Sequence, residues 1–320
     1  MTELITKKWN QIGWLQTDQA ADELAFQRVI RLCQDSQARL AILNTLEEMP
    51  DRLHTLIASL GFSLSAYSEH EAKQESLDKT LEVAANSQVA AHCHTVRGRP
   101  LEGILQQVVT HGYDLLMKSA QSSYGIRHVL LGHLDRQLIR KCPCPVWIEK
   151  PATRSSHDRI LAAVDPAPFA DVIEHNQLNV DVLRWASYLA EIEHAQLDVV
   201  HVWPFHHERR LHGRGGFSDS EVAGVGAEIR RRHETALNDL IEPFRSKIQR
   251  VHLLKGDAAE EISRLAARQS FDVVVMGTVC RSGIQGLLIG NTAETVLDQI
   301  DCSVVALKPP GFVSPVGISQ

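Results

Sequence analysis

The stretch Met276-Gly277-Thr278-Val279-Cys280-Arg281-Ser282-Gly283-Ile284-Gln285-Gly286-Leu287-Leu288-Ile289-Gly290-Asn291-Thr292 joins an apolar run of strand type to a helical one. Its chemistry suits a phosphate. Glycines let the backbone approach an anion closely, loop N–H groups converge on it, and a helix N-terminus adds a favourable dipole. Asn291 and Thr292 bring a side-chain amide and a hydroxyl to that end, and either also suits an N-cap. A glycine-rich turn with a capped helix and no ligand would read the same way. No Gly-Lys-Ser/Thr follows, so this is not a Walker loop, and the spacing is not the compact G-x-G-x-x-G of dinucleotide folds.

Other reactive residue types form weaker patterns. His92-Cys93-His94 puts two histidines on one face of a strand, and His206, His207 and His212 lie near Arg209 and Arg210, but neither spacing matches a closed zinc site. No metal ligand set is therefore assigned, and solvated or core histidines are the expected reading. Ser282 and Thr292 lack an assigned base, which leaves no catalytic residue to name. Cys280 beside Arg281 is a reactive thiol only if exposed, and a packed, inert thiol is the expected state.

The elements that position the loop emerge from a self-comparison. Asp114-Leu-Leu-Met matches Asp272-Val-Val-Val, 158 residues on. The same ungapped offset pairs Gly125-Ile126 with Gly283-Ile284, Gly132 with Gly290, Cys144 with Cys302, and Lys150-Pro151 with Lys308-Pro309. Identity at glycine and proline reports backbone geometry, so a duplicated domain is the simplest account. In the second copy, strands are expected at Arg159–Val164, Leu197–Val202, Arg250–Leu254, Phe271–Met276 and Ser303–Leu307. Helices are expected through Val182 and Leu189, from about Ser220 to Phe244, near Ala259–Gln269 and over Asn291–Ile300. The first copy repeats the order, with strands near Trp9–Leu15, Ala38–Leu43, Val89–Thr95, Tyr113–Met117 and Val146–Ile148. Apolar strands alternating with helices predict an α/β fold: two tandem, doubly wound, five-stranded parallel-sheet domains of Rossmann-like type, 1–152 and 153–320, joined by Pro151 to Ser156. Such sheets bind ligands at the carboxyl ends of their strands.

Composition narrows the function classes. The chain has 320 residues, a formal charge of −6, 44% hydrophobic and 22% charged residues. That is an ordinary globular balance, which argues against nucleic acid or a membrane as partner. Six scattered cysteines without CxxC spacing fit a reducing compartment better than a disulfide framework, and no apolar run follows the lysines of Met1 to Asn10. A cytoplasmic location is expected.

The loop's spacing resembles the nucleotide loop of the universal stress proteins, G-x2-G-x9-G-[S/T], which follows the fourth strand of a five-stranded parallel sheet. The resemblance runs from about Ile12 to Pro310 and includes Val164-Asp165, His201-Val202, Gly256-Asp257 and Cys302-Ser-Val304. It points to the tandem, E-type branch. It implies that Gly277 and Gly290 lie against phosphates, Asp165 near the ribose or adenine, Val202 against adenine, and Met276 along the nucleoside of ATP or AMP. Two positions depart from the pattern: Cys280 replaces the second glycine, and Asn291, followed by Thr292, replaces the final Ser/Thr. In the first copy Ser119 stands for Gly277, Lys118 for Met276 and His133 for Asn291, and the first strand ends Trp14-Leu15-Gln16 without an acid.

The leading expectation is thus a non-enzymatic cytoplasmic stress-response protein whose second domain binds an adenine nucleotide. The resemblance further implies pairing of the two domains through their fifth strands within one chain, with a homodimer as an additional assembly. Two alternatives stay open: a tandem scaffold binding no nucleotide in either domain, and a slow ATPase, for which no base or metal constellation is identifiable.

Overall fold

The computed structural model describes residues 9–16, 22–46, 59, 66–120, 131–150, 157–166, 168, 173–205, 217–278 and 291–315. They fall into two compact units that part between Ser155 and Ser156. In the first unit the elements are β1 (Gln11–Leu15), α1 (Asp22–Ser36), β2 (Arg39–Leu46), α2 (Ala66–Asn86), β3 (Ala91–Arg97), α3 (Pro100–His111), β4 (Leu115–Ser119), α4 (His133–Lys141) and β5 (Val146–Glu149). In the second they are β6 (Arg159–Ala163), α5 (Ile173–Ile192), β7 (Gln196–Trp203), α6 (Asp219–Ile241), β8 (Ile248–Lys255), α7 (Ala258–Arg268), β9 (Val273–Gly277), α8 (Asn291–Gln299) and β10 (Ser303–Leu307).

Each unit holds a five-stranded sheet, ordered β3-β2-β1-β4-β5 in the first and β8-β7-β6-β9-β10 in the second. All the strand pairs within each unit are parallel. The central strands are buried along nearly their whole length, as in Ile160–Ala162 and Val273–Met276. Both faces are therefore covered, which is why these strands read as unbroken apolar runs. In both units the order reverses beside the first strand, between β1 and β4 and between β6 and β9, which is where such sheets open a ligand crevice.

The repeat is written into the turns. Asp114 Oδ2 accepts the backbone N–H of Asn10 at 2.8 Å and of Gln11 at 3.2 Å, pinning the start of β1 to the turn before β4. Asp272 Oδ2 does the same for Asp158 and Arg159, at 2.8 and 2.9 Å. Each carboxylate thus satisfies two amide donors, and bonds to a charged acceptor contribute about 1.5–3 kcal/mol. The helices before β4 and β9 also stop alike. Gly112 takes the left-handed conformation (φ 62°) and caps α3, and Ser270, at the same offset, has φ 51°.

Local chemistry starts and ends the remaining helices. Asp257 accepts from the N–H groups of Ala259 and Glu260, and Ala259, Ile262, Leu265 and Ala266 then bury one face of α7. Ser218 and Glu221 form a reciprocal capping box on α6. That helix gives way at Glu242 to a 3-10 turn, Glu242–Lys247, shorter than the Ser220–Phe244 expectation because Pro243 removes an N–H donor.

Candidate functional site at the carboxyl edge of the second sheet

Register brings the expected nucleotide residues to one edge. Ala163 faces Val200 on one side and Met276 on the other, so Val164-Asp165, His201-Val202 and Gly277-Thr278 all emerge beyond it. Val202 and Met276 are buried, while the Asp165 side chain is 59% exposed. A carboxylate so placed is within reach of a ligand from solvent. Two buried side chains hold its turn. The Asp165 N–H donates to Asn179 Oδ1 at 2.9 Å, and Asn179 Nδ2 donates back to the Asp165 carbonyl at 3.1 Å. His201 Nδ1 lies 3.2 Å from the Val164 carbonyl and 3.9 Å from Asp165 Oδ1.

His201 leads inward to a second imidazole, its Nε2 lying 2.8 Å from Nδ1 of His233 on α6. One ring must donate and the other accept, so the bond requires at least one neutral imidazole. Burial first and the neighbouring His233 second pull the His201 pKa down to about 4. Burial lowers His233 as well. Beyond Val202 the edge opens into a groove of about 440 Å³, lined among others by Trp203, Phe205, Ala223, Arg230, Glu234 and Lys255. The Lys255 ammonium lies 5.8 Å from the Trp203 ring centre and 5.3 Å from that of Phe205.

Gly277 ends β9, and its lack of a side chain has a packing cause. A Cβ there would come within 2.7 Å of Leu178 Cδ2 on α5. Thr278 follows, buried, with its N–H and hydroxyl both donating to the Leu307 carbonyl at 3.0 and 3.1 Å. Asn291 and Thr292 open α8, and their side chains lie outside the described residues, as do Cys280 and Gly290. The structure therefore brings together Asp165, Val202, Met276 and Gly277. It adds Asn179 and His233, which residue reading passed over. A polar residue at a core-facing position of an amphipathic helix is the signal that marks both.

In the first unit the His92 and His94 rings meet edge-on at 4.9 Å, with His111 stacked on His94 at 4.7 Å. Among the described residues no group of three or more His, Cys, Asp or Glu side chains is arranged to hold a metal ion. Among them too, no helix is long and apolar enough to cross a membrane.

The universal stress protein family profile matches twice, over residues 17–150 and 157–308. The chain belongs to the universal stress protein family. Universal stress protein E of Escherichia coli K12 is 32% identical over 223 residues, 69% of each chain. The universal stress protein E homolog of Haemophilus influenzae is 23% identical over 90% of this chain and 93% of its own. Among solved structures, a functionally unknown Pseudomonas aeruginosa protein superimposes with a TM-score of 0.71 at 23% identity, covering 97% of this chain and 95% of that one. That last likeness speaks for the fold alone.

Proposed function

We propose that the second domain binds an adenine nucleotide, ATP or AMP, at the carboxyl edge of its sheet, and that the protein serves the stress response in the cytoplasm without catalysing a reaction. The observation that carries this reading is the clamped turn. Asn179 and His201 hold Val164-Asp165 from below by backbone bonds, leaving one exposed carboxylate beside buried Val202 and Met276. An apolar floor with a single fixed acid suits a nucleoside, whose base stacks and whose ribose hydroxyls donate. In sequence, β9 is followed by Gly283, Gly286 and Gly290 and then by α8, at whose N-terminus anionic groups are favoured.

A second reading rests on Gly277. Packing against Leu178 also favours a glycine there, so a scaffold that keeps the fold and holds no nucleotide is compatible with the same residue. In either case the fifth strands, Val146–Glu149 and Ser303–Leu307, are proposed to pair within the chain, which would cover two open edges, with a homodimer as a further assembly. One experiment separates the readings: denature the purified protein, identify the released small molecule, and titrate the emptied, refolded chain with ATP and AMP by calorimetry. One equivalent of either nucleotide supports the binding role. No heat and no released nucleotide leave the scaffold.

A further inference from the structure

The two domains differ in charge where the fourth strand ends and the next helix begins. In the first, Lys118, next to last in β4, is buried, and its ammonium lies 2.8 Å from Asp135 Oδ1 on α4. Asp135 is buried as well, and its Oδ2 accepts the N–H of Gly132, the N-cap of that helix, at 2.9 Å. The Lys118 ammonium also donates to the Ser119 carbonyl at 2.7 Å. At the helix N-terminus that follows the fourth strand, an anion is thus already present, and a cation beneath it balances the charge. The equivalent residues of the second domain, at the same offset of 158, are Met276 and Ala293. Both are buried, and neither carries charge.

The neighbouring strand repeats the contrast. Glu149 at the end of β5 pairs with Arg28 of α1, both buried, and accepts from Trp147 Nε1 at 2.8 Å. Its counterpart in β10 is Leu307. Charges enter a core only when paired and bonded, since an unpaired one is costly. These pairs are accordingly fixed parts of the first domain's carboxyl edge.

We infer that the first domain is closed to nucleotide by its own salt bridge, the Asp135 carboxylate taking the place of a ligand phosphate and Lys118 that of its counter-ion. Lys118 and Asp135 against Met276 and Ala293 then determine which half of the chain takes nucleotide. Entry of a phosphate into the first domain would require expelling a buried carboxylate from its cation, or burying a second anion beside it. The inference rests on the proposed role of the second domain, and its test separates the two.

Exchange the residues in the full-length chain and count bound ATP by equilibrium dialysis. Lys118→Met, Ser119→Gly and Asp135→Ala together give the first domain the second domain's residues at these three positions. Removing both charges together leaves neither buried without its partner, so this variant is expected to fold. It should bind a second equivalent of ATP where the natural chain binds one, more weakly than the first because the first domain's first strand ends without an acid. A cooperatively melting variant that stays at one equivalent overturns the inference. Should the variant not fold, Met276→Lys with Ala293→Asp decides instead. At least tenfold weaker binding by a folded protein sustains the closure, and undiminished binding overturns it. If the natural chain binds no nucleotide, the proposed function fails by itself. A first equivalent gained by the triple variant would still sustain the inference, and none would sink it.

Discussion

At the scale of single residues, the proposed site separates a ligand contact from its support. Asp165 is exposed, and its backbone N–H and carbonyl both bond to Asn179. Asp165→Ala should therefore leave urea stability within about 0.5 kcal/mol while weakening ATP roughly tenfold, about 1.4 kcal/mol. Asn179→Ala removes both bonds from a half-buried turn, so it should cost about 1–3 kcal/mol of stability and lose affinity as well. Equal loss of stability in the two variants would contradict this division. The histidine pair adds a pH dependence with a definite sign. Above pH 6.5 the His201 imidazole is neutral in both folded and unfolded chains. As pH falls, the unfolded chain takes up the proton first, because the folded pKa is pulled down to about 4. Stability should thus fall from pH 6.5 towards pH 4, by up to about 3 kcal/mol for this group. Urea titrations at pH 7.5 and 5 should show the drop, and His201→Asn should flatten it.

At the scale of elements, the packing of α5 on β9 decides what Gly277 is for. Gly277→Ala should cost about 1–3 kcal/mol, because its Cβ meets the Leu178 side chain. Adding Leu178→Ala should recover much of that loss. If Gly277→Ala weakens ATP binding even after stability is recovered, the glycine serves the ligand too. The elements themselves were legible in the sequence because strands buried on both faces read as apolar runs, and because Asp, Gly, Cys and Pro recur at one offset. The support of the site was not. Asn179 and His233 act on residues 14 and 32 positions away, across a helix–sheet interface that no periodicity specifies. Lys118 was visible as the counterpart of Met276, but only the fold shows that Asp135 meets it inside the core. The reason for Gly277 was equally hidden, since a close helix and a close phosphate select the same residue.

At the scale of the whole chain, duplication gives two compact units, and the proposed function assigns nucleotide to the second alone. The stretch from residue 155 to the end should fold alone and keep the affinity of the full protein. Residues 1–152 should melt with no nucleotide-dependent shift. Ligand binding to the folded state raises the melting temperature in proportion to affinity and concentration, so differential scanning fluorimetry with ATP on each half checks both statements. A shift in the first half alone would reverse the assignment of sites.

The paired aspartates at the strand entries bear on the order in which each unit assembles. Asp114 bridges 104 residues to Asn10, and Asp272 bridges 114 to Asp158. In both cases the first strand of a sheet waits on a carboxylate that arrives with the fourth. A chain emerging from the ribosome cannot close its first unit until β4 is out, so β1, β2 and β3 must remain without their anchor over much of its synthesis. Long-range closure of this kind slows folding and makes it cooperative. The amide protons of Gln11 and Arg159 are therefore expected to exchange with solvent only when their entire unit opens, and to be among the last protons each unit surrenders.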